Sequence, residues 1–179
     1  MVLYALIASL PQLKWDEAPH ITLEELTDST DLYLNSTRSE KFRKLSLSAD
    51  AADFPKKSFA ADYLAWETAF RNSIAKLRAA RLNLDAAPYL HADGAYETDA
   101  DRSVREAFAA GNPLEREKML DFARWQKIEE LEFGNRFNFN VLCAYKLKLE
   151  LLLKWKARDA GQSQKNLDLA AEEVRKEAV

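Results

Sequence analysis

A chain of 179 residues with four glycines and five prolines, dominated by alanine, leucine, lysine, glutamate and arginine, offers little material for hairpin turns and much for long helices. Its net charge of -3 arises from 26 basic and 29 acidic residues mixed along the chain, which leaves no sustained basic stripe for a nucleic-acid backbone. The single cysteine, Cys143, excludes an intramolecular disulfide and no paired-cysteine metal motif occurs, as expected in a reducing cytoplasm.

The expectation is an all-α multi-helix bundle forming one domain over residues 1–179. It divides into an N-terminal region of short helices (1–57), a core of long helices (58–160) and a charged C-terminal helix (161–179) that frays. The apolar opening from Met1 to Leu10 lacks the positively charged leader of a signal peptide, and Pro11 stops it far short of the roughly 20 residues a membrane span requires. It reads as a buried extended segment or a first helical turn. Thr22-Leu23-Glu24-Glu25 has the capping-box pattern, so a helix is predicted to start there, and residues 29–57 read as short helical pieces joined by exposed connections.

Phe59, Tyr63, Trp66, Phe70, Ile74 and Leu77 share one stripe of a helix predicted from Ser58 to about Leu84, ended by Asp85-Ala86-Ala87-Pro88. A loop through His91, Asp93 and Gly94 follows. Thr98 or Asp99 then caps a helix that carries Val104, Ala107 and Phe108 and stops at Gly111. Asn112 and Pro113 begin the next helix. There Met119, Leu120, Phe122, Trp125, Ile128, Leu131 and Phe133 surround more than half the axis and predict burial between neighbours. After a break at Gly134-Asn135, the run from Phe137 to Trp155 is the most apolar helix, interrupted by Lys146, Lys148, Glu150 and Lys154, and Gly161 is expected to end it.

No catalytic constellation stands out. His20 and His91 sit in predicted loops without a second histidine at ligand spacing, and Cys143 reads as a small hydrophobe in the core helix. Asp93, Glu97, Asp99 and Asp101 lack the glycine and terminal glutamate of a calcium loop and read as acids at a helix start. No cofactor or metal is expected. Lys148 falls between Val141, Ala144, Leu152 and Trp155 in the apolar arc, so it is predicted to meet a carboxylate of a neighbouring helix or to extend its stem to solvent. Glu67, four residues before Arg71, is a candidate partner. Arg71, Arg78 and Arg81 lie along one flank of the long helix, either as a solvated face or as a surface for acidic partner residues.

The opening from Tyr4 to Leu13, followed by Ile21-Thr22-Leu23-Glu24-Glu25-Leu26, resembles the start of a bacterial family known as DUF2764, and the blocks from Trp66 to Arg81 and from Phe137 to Leu149 are similar to it as well. The resemblance implies a link to V/A-type ATPases, whose genes typically neighbour those of the family. The funnel-shaped helical subunit of the ATPase central stalk has similar helices, in which a glutamate is followed a turn later by an arginine or asparagine. Glu67, Arg71 and Asn72 match that pattern. The expectation that follows is a non-catalytic subunit or assembly factor, cytoplasmic and peripheral to the inner membrane through the ATPase. Its helix faces would grip a shaft helix or the loops of the membrane ring. The rival readings are a self-associating helical adaptor and an enzyme with Glu67, Asp93, His91 or His20 converging in a pocket.

Overall fold

Local chemistry sets most helix starts in the computed structural model, which describes residues 2–91 and 98–177. Seven α-helices and no strand occur among these residues: α1 (Val2–Ser9), α2 (Leu23–Asp31), α3 (Ser36–Lys44), α4 (Phe59–Leu82), α5 (Thr98–Ala109), α6 (Pro113–Glu132) and α7 (Phe139–Glu177). The reciprocal capping box of α2 is present: Glu25 N–H donates to Thr22 Oγ1 at 3.2 Å and Thr22 N–H to Glu25 Oε2 at 2.8 Å. Side-chain oxygens of Asn35, Ser58 and Asn112 likewise accept from free amides at the starts of α3, α4 and α6.

Of the two forms expected for the N-terminal segment it takes the helical one, because Leu3, Leu6, Ile7 and Leu10 recur at helical spacing and pack together. Three expectations are corrected. Helix α4 is ended at Leu82 by Asn83 and not by Asp85-Ala86-Ala87-Pro88: Asn83 takes the left-handed conformation, φ 54°, and its amide reaches back to the Ala79 and Ala80 carbonyls. Helix α6 is covered on one side only. Leu120, Ala123, Trp125 and Ile128 face α4, α5 and α7, whereas Met119 and Phe122 are exposed and Phe133 is 89 % exposed past the helix end. Gly161 does not end α7, which continues to Glu177. A glycine stops a helix by turning left-handed; left in helical geometry it costs only about 1 kcal/mol against alanine, and no proline follows to enforce the stop.

The apolar side chains form two clusters that share α7. Phe59, Tyr63, Trp66 and Phe70 of α4, Val104 and Phe108 of α5, and Trp125 and Ile128 of α6 close over Cys143, Ala144, Leu147 and Leu151 of α7. Leu6, Leu26 and Phe42 of the three short helices close over Leu142 and Leu149. Polar groups of α7 hold the N-terminal chain. Tyr145 Oη donates to Pro11 O at 2.8 Å, and Lys146 Nζ donates to Phe42 O at 2.6 Å and Arg43 O at 3.1 Å, capping the free carbonyls at the end of α3. Burial lowers the Lys146 ammonium below its usual range. Glu150 accepts from Leu47 N–H at 2.9 Å, and burial raises its carboxyl.

Candidate functional site

Glu67 lies one turn before Arg71 on α4, at the spacing that brings helical side chains together. Its buried carboxylate accepts from Arg71 Nε at 2.8 Å and, across the helix interface, from Arg124 of α6 at 2.9 Å through both Nε and Nη2. Arg124 also donates to buried Asp121 at 2.9 Å, and Asp121 accepts from Lys154 of α7 at 2.6 Å. Three helices are thus joined by one ionic chain. Burial is the largest single influence on the Arg124 guanidinium and would lower it, but the charge and hydrogen bonds of Glu67 together with the Asp121 charge outweigh it and leave the group raised. Arg124 sits over the Phe70 ring at 4.8 Å, and buried Tyr63 points a hydroxyl with no partner into the same region.

Beside this chain the faces of α4 and α6 leave a groove of about 850 Å³. Arg71 and Arg78 stand on the α4 wall, Arg116 and Arg124 on the α6 wall, and Lys154 enters from α7. The floor is apolar, with Ile74, Ala75, Ala79 and Leu120. Leu82, Leu84 and Tyr89, exposed by 67 %, 54 % and 63 %, gather at the end nearest the start of α6. The two walls run antiparallel. Glu67 pairs with Arg124 at one end, while at the other Arg81 and Arg116 both lie against Phe108, 4.8 and 5.0 Å from its ring.

Of the six residues that the sequence offers for partner binding or ion pairing, Glu67, Arg71, Asn72, Arg78, Arg81 and Lys148, only Arg71 and Arg78 line this groove. Arg81 instead donates to the Phe108 carbonyl. The buried Asn72 amide is engaged internally: Nδ2 donates to His91 O and Oδ1 accepts from His91 N–H, both at 2.9 Å, which pins the loop after α4. His20 and His91 are exposed, and Asp93 and Glu97 lie outside the described residues. Among the described residues no group of three or more histidine, cysteine, aspartate or glutamate side chains is arranged to hold a metal ion, and no helix is long and apolar enough to cross a membrane.

The groove's second wall, from Pro113 to Arg124, and the start of α7 lie in the stretch that the comparison with known families recognises. Residues 99–167 match the family described as a protein of unknown function, DUF2764. The match spans 69 of the 179 residues, and no curated protein or solved structure matches the chain.

The DUF2764 stretch begins at Asp99, whose carboxylate accepts from Trp66 Nε1 at 3.1 Å and Lys127 Nζ at 3.3 Å. Asp101 pairs with Arg105 at 2.6 Å, so both acids of this helix start have internal partners. Lys148, also in the DUF2764 stretch, has a side chain 13 % exposed and meets a carboxylate of a neighbouring helix, but not Glu67. It donates to Glu132 Oε2 at 2.6 Å, lies 3.6 Å from Glu129, and sits 5.2 Å over the Trp125 ring. Arg71 and Arg124 already occupy the Glu67 carboxylate. Arg116, Asp121 and Arg124 are not singled out in the sequence, and Lys154 reads there only as a charge interrupting the apolar helix. The readable sign was Asp121 and Arg124 three apart within the buried arc of α6, a spacing at which two ions can share one site.

Proposed function

We propose that the chain is a non-catalytic subunit or assembly factor of a V/A-type ATPase, similar to part of the funnel-shaped subunit of its central stalk. It acts by adhesion: its helix faces hold a shaft helix or the cytoplasmic loops of the membrane ring, and the complex brings it to the inner membrane. The observation that carries this reading is the groove between α4 and α6, where an ionic chain fixes the walls while cations and exposed apolar side chains remain at the opening. Such a surface suits a polypeptide better than bond chemistry. The DUF2764 match supports it through the gene neighbourhood and helix pattern that the family resemblance implies. The test is purification of the ATPase in mild detergent from cells producing the tagged chain at native level. Co-migration with stalk or ring subunits is expected, and absence from the intact complex would overturn the reading.

Self-association is the second reading, and it has its own observation. Tyr4 and Phe137 pack ring to ring at 4.4 Å although both are exposed, which leaves an aromatic face at that end. Sedimentation of the purified chain over a concentration series decides it: a monomer throughout removes this reading.

A further inference from the structure

We propose that the groove seats an acidic amphipathic helix of a partner protein, laid lengthwise, with carboxylates on Arg78 and Arg116 and an apolar seam on Leu82, Leu84 and Tyr89. The inference rests on the adhesive reading above, though not on the ATPase as the partner.

Charge balance picks out the two arginines. Arg71 and Arg124 share Glu67, Arg124 also holds Asp121, and Lys154 is divided between Asp121 at 2.6 Å and Glu117 at 3.1 Å. These cations have their counter-charges within the fold. Arg78 has no partner among the described residues. Arg116 makes one long bond to the Ala110 carbonyl at 3.3 Å and rests on the Phe108 ring, while its Nε–H is buried with nothing to accept it. A guanidinium left this way favours a carboxylate, which can take two parallel N–H bonds from the planar fork. The surplus positive charge therefore lies on opposite walls of the apolar half of the groove.

Shape picks out a helix. The α4 wall is formed by Arg71, Ile74, Ala75, Arg78, Ala79 and Leu82, spaced as one face of three turns, and the α6 wall repeats this with Pro113, Arg116, Glu117, Leu120 and Arg124. At about 1.5 Å per residue each wall runs roughly 16 Å. Two parallel ridges with the small residues Ala75 and Ala79 between them are what a third helix packs into. An extended peptide would find no sheet edge among the described residues to pair its backbone, whereas a helix satisfies its own. A small anion would satisfy Arg78 and Arg116 and still leave Leu82, Leu84 and Tyr89 in water.

The test uses the full chain and a fluorescent synthetic helix of about 18 residues, five turns, with a leucine seam flanked by glutamates. Versions with glutamine or lysine in place of glutamate, and inorganic phosphate as competitor, complete the set. Anisotropy should show the glutamate peptide binding at least roughly tenfold tighter than the glutamine one, and weakening as salt rises from about 50 to 300 mM. The exposed-site variant Arg78→Glu, and Arg78→Glu with Arg116→Glu, should reverse the preference toward the lysine peptide. Leu82→Ser should weaken binding with the charge preference kept. Equal binding of glutamate and lysine peptides, or unchanged affinity in Arg78→Glu, overturns the proposal. Displacement by phosphate combined with indifference to Leu82→Ser assigns the groove to a small anion and overturns it too, as does self-association that Arg78→Glu abolishes. Peptide binding without ATPase co-purification removes only the ATPase reading. Co-purification that Arg78→Glu leaves intact, with no peptide binding, removes only the groove.

Discussion

Glu67 of α4 and Arg124 of α6 form a two-pronged ion pair across the helix interface, with Arg124 Nε and Nη2 each 2.9 Å from a carboxylate oxygen. Both side chains are sheltered from water, 3 % and 15 % exposed, so each supplies a counter-charge that solvent does not. Removing one partner of such a pair costs about 3–5 kcal/mol, whereas replacing both with apolar groups of similar volume is often close to neutral. Glu67→Ala is therefore expected to lower stability by about 3–5 kcal/mol, and Glu67→Leu with Arg124→Met by much less than the two single changes together. Urea unfolding of the four proteins measures the coupling, and an additive double variant would show that the pair is not the hub of this interface.

Tyr63 gives a change of opposite sign. Its hydroxyl is buried without a hydrogen-bond partner, and burial first, then the nearby Glu67 charge, raise its ionisation well above the usual value. Tyr63→Phe deletes only the unsatisfied oxygen and should stabilise the fold by about 1 kcal/mol. A melting temperature below that of the unaltered chain would mean that the hydroxyl has a use in the fold.

Cys143 is buried in α7, and burial pushes its thiol up to about 12. The reactive thiolate is therefore scarce at neutral pH. Alkylation at about pH 8 should be far slower in the folded chain than in urea, where the thiol returns to about 8.5. Equal rates would argue against the packing of α7 against α4.

Glu150 sets a pH dependence. Its carboxyl is raised above 4.5 by burial, with the Leu47 amide pulling the other way. A raised carboxyl holds its proton longer in the folded than in the unfolded chain, so stability falls as pH rises from the unfolded value through the folded one. Glu150→Gln keeps an acceptor for Leu47 N–H and removes the ionisation. It should gain stability relative to the parent between about pH 4 and pH 7. Parallel urea midpoints across that range would sink the assignment.

The helical class and most helix starts were legible because their causes are local: Thr22, Ser58 and Asn112 cap helices that begin within a residue or two of them. The burial of Lys148 was legible from its own helix, since only that helix decides which face it occupies. Its partner was not, because Glu132 comes from α6 and the pairing depends on how α6 and α7 cross. The groove was half legible. Arg71 and Arg78 declare one flank of α4, but Arg116 and Arg124 sit among apolar residues of α6, and nothing in the order of residues shows that the two helices run antiparallel with those faces opposed. Gly161 misled because a glycine marks a helix end only where the chain turns left-handed.

Helix α7 presents Leu142 and Leu149 to one apolar cluster and Leu147 and Leu151 to the other. The chain therefore has a built-in order of opening. An excursion that peels α1, α2 and α3 away uncovers one face of α7 and leaves the α4–α6 groove standing, whereas no excursion can release α7 without dissolving both clusters. Amide protons of the short helices should exchange with solvent through that smaller opening, and those of α7 between Leu142 and Leu151 only through global unfolding. A partner held in the groove would thus grip the slowest-opening half of the molecule, with the N-terminal layer left to loosen on its own timescale.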